Sequence, residues 1–450
     1  MNALQQTTDA RTRSLVDAIR EIEYPLATNA DLDPLMEKIG DANFVLLGEA
    51  SHGTSDYYTW RARLSQRLIQ EKGFSFIAVE GDWPDCYRLN RYIKGNGEGQ
   101  SAYEVLHAFR RWPTWMWANW EVVALAEWLR DFNQNFAGAS SPTEQIGFYG
   151  LDVYSLHESL AAITDYLGEH EPEALAAAKE AYRCFEPYGR NGQEYAWGTA
   201  LVPKSCEDEV VALLREIRQR TNGSSVFTEM EDDPEAAFNA EQNAWVVAEA
   251  EHYYRTMLRG SAASWNVRDY HMADTLGRLM DHHGSQAKAI VWEHNTHIGD
   301  ARATDMSRAD MVNVGQLVRE RHMDDGVVLV GFGSHRGTVI AGEAWGERMQ
   351  IMQMPQARPD SWEDVLFQTE TADKLLLMDD LRSVEAGRQR RGHRAIGVVY
   401  NPDRERGNYV PTVLPNRYDA FLYIEESQAL HPLHLAPKTS EPPETYPWGV

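Results

Sequence analysis

The stretch Asn43-Phe44-Val45-Leu46-Leu47-Gly48-Glu49 decides the fold, because a short apolar run ends there abruptly in turn and polar residues. Such a run is typical of a strand that is buried on both faces of a parallel sheet. A helical pattern follows at about 57–72, and a second apolar run, 76–79, stops at Glu80. Strand, helix and strand in this order predict a βαβ unit and therefore a mostly parallel sheet.

The strand pattern returns later in the chain, and further strands are predicted at 145–149, 288–292, 327–330, 338–341, 395–400 and 420–424. Between about 154 and 283, segments rich in Ala, Glu and Leu with helical spacing dominate instead. We therefore predict one α/β domain over 1–450, with a mostly parallel central sheet flanked by helices and a helical cap or insertion at about 154–283. The tail at 438–450 is predicted to be poorly ordered.

The charge balance narrows the class of partner. The chain has 43 Lys and Arg against 68 Asp and Glu, a formal net charge of −25. A field of that sign repels nucleic-acid phosphates and anionic lipid, so we predict a small-molecule substrate and neither nucleic acid nor a membrane as partner. The charge favours a neutral or cationic substrate, or serves solvation alone.

Compartment and assembly are less constrained by the sequence. Three cysteines argue against a disulfide framework. The polar start of the sequence is unlike a signal peptide, and no run of apolar residues is long enough to span a membrane. A cytoplasmic location is therefore predicted, and the oligomeric state stays open.

Ionisable residues cluster where predicted strands end. The first strand is followed by Glu49 and His52, the second by Glu80 and Asp82, and the strand ending at Trp292 by His294 and His297. In open α/β sheets, sites form beyond the carboxyl ends of the strands. An imidazole with a pKa near 6.5 can take a proton from water, while a carboxylate fixes its tautomer. We expect Glu49 or Glu80 to orient His52.

The two later histidines, His294 and His297, are expected to orient water or to stabilise an oxyanion. Gly53, directly after His52, is expected to let a substrate approach the backbone. Arg268 and Asp269, adjacent on a predicted helix, are expected to form an ion pair with each other.

A tryptophan-rich segment offers a candidate substrate wall. Trp112, Trp115 and Trp117 lie within a few residues of one another. They either line a large apolar pocket or form core where the helical part meets the sheet. Asp82 is assigned to substrate binding, and Asp152 either supports the site or caps the following helix.

Other catalytic chemistries find less support. No Gly-x-Ser-x-Gly is present, and in the similar-looking Gly333-Ser334-His335-Arg336-Gly337 the first glycine is not at the required offset from the serine. No His-Glu-x-x-His is present either, so neither a metal nor another cofactor is predicted. Histidines with carboxylates nevertheless suit Zn²⁺ or Mn²⁺, and a divalent metal stays open as an alternative.

The motifs Gly48-Glu49-x-x-His52-Gly53, Arg61, Val79-Glu80-Gly81-Asp82 and His294-Asn295-x-x-His297-Ile298 resemble the erythromycin esterase family in order and spacing. The segment Arg268-Asp269-x-x-Met272-Ala273 supports the likeness, which extends over about 43–433. The resemblance implies hydrolysis of a macrolactone or another ester by a histidine-activated water, without a serine nucleophile.

Carried over by position, the resemblance implies that His52 is the general base and that Glu49 and Glu80 polarise or orient it. It implies that His294 and His297 complete the pocket and that Arg61 supports the carboxylates. Members of the family also include proteins labelled as acting in exopolysaccharide biosynthesis, so the resemblance supports the reaction better than a macrolide substrate or a role in antibiotic resistance. Two alternatives stay open: a metal-dependent hydrolase acting on another ester or a polysaccharide-related substrate, and a non-catalytic binder of an amphipathic ligand.

Overall fold

The computed structural model describes residues 3–97, 99–135, 144–188, 192–201, 205–221, 233–257 and 260–434 of the chain. The predicted poorly ordered tail at 438–450 lies outside these residues. The strands are β1 (Glu23–Pro25), β2 (Phe44–Leu47), β3 (Phe76–Asp82), β4 (Gly147–Asp152), β5 (Ala289–Trp292), β6 (Val327–Ala341), β7 (Gln350–Met354), β8 (Lys374–Leu377), β9 (Arg391–Arg394), β10 (Tyr409–Thr412) and β11 (Ala420–Ser427).

The α-helices alternate with these strands and also fill the long interval between β4 and β5. They are α1 (Ala3–Arg20), α2 (Asp33–Ile39), α3 (Ser55–Lys72), α4 (Trp83–Ile93), α5 (Ala102–His107), α6 (Trp120–Asn135), α7 (Leu156–His170), α8 (Leu175–Phe185), α9 (Gly192–Leu201), α10 (Glu207–Thr221), α11 (Ala236–Met257), α12 (Ser261–His283), α13 (Asn295–Ile298), α14 (Val314–Arg321), α15 (Trp362–Phe367), α16 (Met378–Ser383) and α17 (Leu414–Arg417).

The main sheet has the strand order β1-β8-β11-β6-β2-β5-β3-β4, with β7 added along the second half of β6. All neighbours from β11 to β4 are parallel, whereas β1, β8 and β7 pair antiparallel. The predicted α/β class, a mostly parallel sheet flanked by helices, is confirmed.

Central strand β2 shows why the apolar run forms this sheet. All four of its residues are buried. Val45 and Leu47 join one apolar cluster, and Phe44 and Leu46 join a second cluster on the opposite face. Alternate residues of a strand point to opposite faces, so only a continuous apolar run can satisfy helices on both sides. Each such side chain contributes about 1.5–3 kcal/mol through its burial.

Two details differ from the predicted strands. The runs at 327–330 and 338–341 belong to one strand, β6. The strand predicted at 395–400 is wrong: Ile396 and Val399 form only isolated bridges, to Ser51 and Gly342. This segment is apolar because it packs over the site end of the sheet, where Val398 lines the cleft described below.

The helices between β4 and β5 pack around their own apolar cluster, which includes Leu160, Leu213 and Val247. Contrary to the expectation from the cysteine count, one disulfide joins Cys184, near the end of α8, to Cys206 before α10. Disulfides are typical of oxidising compartments, so this bond weighs against the predicted cytoplasmic location, which stays a prediction. In the described ranges, no helix has the length and apolar character that crossing a membrane requires.

Candidate active site

Four neighbouring strands of the sheet, in the order β2-β5-β3-β4, end at the same edge. Because they are parallel, the residues that follow them converge there. β2 supplies Glu49 and His52, β5 supplies Glu293, His294 and His297, β3 contains Glu80 near its end, and β4 ends at Asp152. The structure thus brings together all the carboxylates and histidines that the sequence assigned to catalysis.

His52 is held by a carboxylate that is itself held by an arginine. Its Nδ1 lies 2.9 Å from Glu49 Oε1, and the other oxygen of Glu49 accepts a hydrogen bond of 2.7 Å from Arg61. Arg61 is fully buried and stacks against the rings of Tyr58 and Trp292. An ionised carboxylate only accepts hydrogen bonds, so Nδ1 carries the proton and Nε2 of neutral His52 keeps its lone pair.

The charge state of His52 is set by opposing effects. Burial by itself lowers the pKa of this imidazole, but the negative charges of Glu80 and Glu49 outweigh burial and raise the pKa above its usual value. A histidine that binds a proton more tightly is a stronger base.

Arg268, on α12, joins the ends of β3 and β4. Its guanidinium donates to Glu80 Oε1 at 2.6 Å and to both oxygens of Asp152 at 3.0 and 2.8 Å. The predicted ion pair between Arg268 and Asp269 is wrong, because the two side chains bind different partners. Sequence reasoning missed Arg268 as a site residue, although its presence in the Arg268-Asp269-x-x-Met272-Ala273 segment was a usable signal.

Glu80 links three elements of the site. Besides Arg268, it accepts a hydrogen bond of 2.9 Å from the backbone N–H of His294. Burial acts to raise the pKa of Glu80, but the interactions with His297, Arg268 and His52 and the hydrogen bond from His294 hold that pKa far below its usual range. Glu80 is therefore ionised at any working pH, and it influences His52 through its charge.

His294 is the electrostatic opposite of His52, although their ring centroids are only 4.8 Å apart. Its Nδ1 accepts the backbone N–H of Thr296 at 3.3 Å and lies 2.8 Å from the Thr296 hydroxyl. Burial, together with the neighbouring His52, lowers the pKa of His294 well below its usual value. His294 therefore stays neutral, with its proton on Nε2.

His297 has both ring nitrogens engaged. Arg268 can only donate, so the 3.0 Å contact from its guanidinium makes His297 Nε2 an acceptor. Nδ1 then donates to Asp269 at 2.9 Å, and the ring stacks on Trp265 at a centroid distance of 4.5 Å. These contacts fix the orientation of the His294–His297 turn.

A cleft of about 750 Å³ of empty space opens over the strand ends. It is lined by His52, Glu80, Gly81, Asp82, Asp85, Phe109, Arg111, Trp112, Pro113, Thr114, Met116, Trp117, Asp152, Tyr154, Arg268, Trp345 and Val398. Trp112, Trp117, Asp82 and Asp152, which the sequence assigned to substrate binding or to support of the site, line this cleft.

Several predicted contacts lie behind this surface instead. Trp115 packs edge-on against Trp112 and does not reach the cleft. His294 and His297 are fully buried and do not line it. Gly53 is also covered, because a Cβ there would lie 1.9 Å from the carbonyl oxygen of Ile340. A glycine at position 53 therefore allows close packing against β6, and it does not give a substrate access to the backbone.

Glu293, next to His294, is a buried carboxyl outside the predicted set. Both of its oxygens lack a hydrogen-bond partner in the part of the chain that the structure describes. Burial, reinforced by the charges of Glu80 and Asp269, raises the pKa of Glu293 well above its usual value, so the group is neutral.

A metal would have to compete with existing hydrogen bonds here. Across the described ranges, no three His, Cys, Asp or Glu side chains are grouped so that they could hold a metal ion. Both nitrogens of His297 and Nδ1 of His52 already have partners.

Comparison with known proteins places the chain in a class. The chain belongs to the erythromycin esterase family, whose model matches residues 69–427. A curated relative, erythromycin esterase type II of Escherichia coli, is 26% identical over 166 residues, which is 36% of this chain and 36% of that protein's length.

Three solved structures share the fold. A succinoglycan biosynthesis protein is 24% identical with a TM-score of 0.73, covering 93% of this chain and 98% of the other. A Bacillus cereus protein is 19% identical with a TM-score of 0.73, covering 94% and 99%. A histidine variant of the erythromycin esterase EreC, in its open conformation, is 17% identical with a TM-score of 0.65, covering 90% and 97%.

Proposed function

We propose that this protein hydrolyses an ester by general-base activation of water at His52. The observation that carries the proposal is that, of the three histidines at the strand ends, His52 lines the cleft and has its Nδ1 bound to Glu49. Its Nε2 lone pair is therefore the basic group available to a water molecule in the cleft. Family membership supports a hydrolase independently of this geometry.

The proposed reaction balances with these residues alone. Water adds its oxygen to the ester carbonyl while His52 Nε2 takes one of its protons. The resulting imidazolium is stabilised by Glu49 and by the nearby charge of Glu80. It then returns the proton to the departing alkoxide as the carbon–oxygen bond breaks, which yields an acid and an alcohol. A positioned base of this kind typically contributes about 10²–10⁴ in rate.

We propose that Arg268 stabilises the negative charge that develops on the carbonyl oxygen of the ester. Arg268 lines the cleft, and its guanidinium adjoins Glu80 and Asp152. The sequence had given this task to His294 and His297, which lie behind the cleft surface. We propose that these two histidines position other site residues. The backbone N–H of His294 donates to Glu80, and His297 Nε2 binds the guanidinium of Arg268.

We propose a macrolactone, such as that of a macrolide, as the ester. The support is the character of the cleft wall, since ligand sites are lined mainly by apolar and aromatic side chains, and this wall contains Phe109, Trp112, Trp117, Tyr154 and Trp345. The names of the E. coli relative and of EreC point to the same class. The name of the succinoglycan biosynthesis protein supports a sugar-linked ester as a second substrate for testing.

The test is mass spectrometry of products from a panel of macrolides, small esters and acylated oligosaccharides. We expect a product heavier than one macrolide by one water, or the two fragments of an open-chain ester. His52→Ala should remove nearly all turnover without changing the thermal unfolding midpoint. His252→Ala, a partly exposed histidine on α11, is the matched control and should keep full activity.

The same panel separates the alternatives. Binding without any change of mass would support the non-catalytic binder and contradict the esterase. Loss of activity after chelation, restored by Zn²⁺ or Mn²⁺, would support the metal-dependent hydrolase. A wild-type rate in His52→Ala would show that His52 is not the base.

A further inference from the structure

The lining of the cleft carries more negative than positive charge. It contains four carboxylates, Glu80, Asp82, Asp85 and Asp152, and two guanidinium groups, Arg111 and Arg268. Arg268 is shared by Glu80 and Asp152, and Arg111 donates to Asp82 at 3.0 Å. Among the residues lining the cleft, no cation is left over to neutralise Asp85.

The fold itself does not explain Asp82 and Asp85. Asp82 occupies the position before α4, but its side chain makes no capping hydrogen bond. Asp85 has Arg88 as its nearest cation, at 3.6 Å, and that arginine is more than half exposed. Such a surface pair contributes little stability.

Besides each other, the charged groups that face these two carboxyls are Arg88 on the same helix, Arg111, Asp152 on the neighbouring strand β4, and Glu158 on α7. Burial raises the pKa of Asp85 to about 6, against the pull of Arg88. Burial likewise raises the pKa of Asp82 well above its usual value, in spite of Arg111. Ionised Asp82 is paired with Arg111, whereas ionised Asp85 has only the exposed Arg88 nearby, so Asp85 is the carboxylate to which a cationic ligand adds most.

Two further features of the same lining point to a ligand. Trp112 and Trp345 lie side by side, with ring centroids 5.1 Å apart, and Phe109 lines the same wall. Thr114, also in the lining, is more than nine-tenths buried, and its hydroxyl has no hydrogen-bond partner in the described part of the chain. Aromatic faces attract cations, and a buried hydroxyl without a partner is costly.

We propose that part of the cleft lining, the amine subsite (Asp82, Asp85, Phe109, Trp112, Thr114 and Trp345), binds a positively charged amine of the substrate. The aspartates supply the charge and the aromatic rings a desolvated wall, while the Thr114 hydroxyl is available to a hydrogen-bonding group of the ligand, such as the hydroxyl that choline and its neutral analogue share. The claim that the bound amine belongs to a substrate rests on the proposed hydrolase. The claim that the subsite binds a cationic amine does not depend on that proposal.

The probe pair is choline and 3,3-dimethylbutan-1-ol, which differ by the charge of one atom in the same shape. Calorimetric binding is measured above pH 7, with sodium chloride holding the ionic strength constant. Choline should bind at least about tenfold more tightly than the neutral alcohol. Its affinity should fall as the pH is lowered through about 6, where Asp85 takes up a proton.

The variants assign the effect to residues. Asp85→Asn should bring choline to within about threefold of the neutral alcohol and leave the alcohol unchanged. Trp345→Leu, at a partly exposed position, should also weaken choline binding. Asp131→Asn, an exposed carboxyl on α6, is the matched control and should change neither affinity.

Equal affinities for the two probes, or wild-type choline binding in Asp85→Asn, would overturn the amine subsite. Turnover of an ester in that case would leave the hydrolase intact. Conversely, selective choline binding in a protein that turns over no ester would contradict the hydrolase and leave the subsite in place.

Discussion

Replacement of Glu49 by glutamine tests the proposed base most sharply. In the wild-type protein, one oxygen of Glu49 faces His52 and the other accepts from Arg61. Arginine only donates, so in Glu49→Gln the amide oxygen must turn to Arg61 and the amide NH₂ must face His52. The NH₂ then donates to Nδ1, and the proton of His52 moves to Nε2, the atom that has to act as the base.

The size of the effect follows from two losses. The charge-assisted hydrogen bond that stabilises the imidazolium contributes about 1.5–3 kcal/mol, and recovering the reactive tautomer costs about 1–3 kcal/mol more. At 1.36 kcal/mol for each factor of ten, kcat should fall by about 10²–10⁴-fold. Loss of the carboxylate also lowers the pKa of His52, so the acidic limb of the pH–rate profile should move to lower pH.

The assay is kcat as a function of pH, with unfolding curves recorded for each variant because Arg61 also loses an ionic partner. Glu293→Gln is the matched control, since Glu293 is an equally buried carboxyl that is already neutral and makes no side-chain hydrogen bond among the described residues. It should keep kcat within about threefold of wild type, as expected for a near-isosteric change. A Glu49→Gln enzyme with wild-type kcat, or an equal loss in Glu293→Gln, would refute the reasoning.

Three further predictions concern the same site. Arg268→Met should lower the free energy of unfolding by about 3–5 kcal/mol in urea titrations, because Glu80 and Asp152 lose a buried counter-ion; a change below about 1 kcal/mol would contradict the central place given to Arg268. The depressed pKa of Glu80 implies stability that is fully present above pH 4.5 and lost as the pH falls towards the folded-state value. Between pH 5 and pH 3, the free energy of unfolding should therefore fall more in the wild type than in Glu80→Gln. An equal fall in both proteins would contradict the depressed pKa of Glu80. Extensive dialysis against a chelator should leave kcat unchanged, and a loss that Zn²⁺ reverses would show that a metal takes part.

The parts of the site that the sequence predicted are those that local pattern controls. Glu49, Glu80 and His294 stand at the end of continuous apolar runs or within two residues after them, and such runs place the following polar residues at the edge of a parallel sheet. Residues whose role depends on long-range packing were missed or misassigned. Arg268 meets Glu80 across 188 positions of sequence, and that contact depends on how α12 lies against β4.

Strand β9 was also missed because its formation depends on long-range contacts. β9 has the sequence Arg-Gly-His-Arg, which has no apolar period, yet all four residues are buried. Hydrogen bonds to residues distant in sequence offset the cost of burying these polar side chains. Arg394 donates to the carbonyls of Ser334 and His335, and His393 contacts Glu363 at 2.5 Å. A charged stretch is normally a solvated one, so only the tertiary partners turn it into a strand.

His52 and His294 lie close together in space, but the pKa of the first is raised and that of the second is lowered. His52 and His294 cannot both be protonated at a centroid separation of 4.8 Å in a buried environment, and their surroundings decide which one is. The carboxylates beside His52 favour its cation, whereas His294 has the backbone N–H of Thr296 on Nδ1 and the His52 charge beside it. The proton taken from water therefore stays on the histidine that faces the cleft, where it can be returned to the leaving alcohol and is not lost into the core.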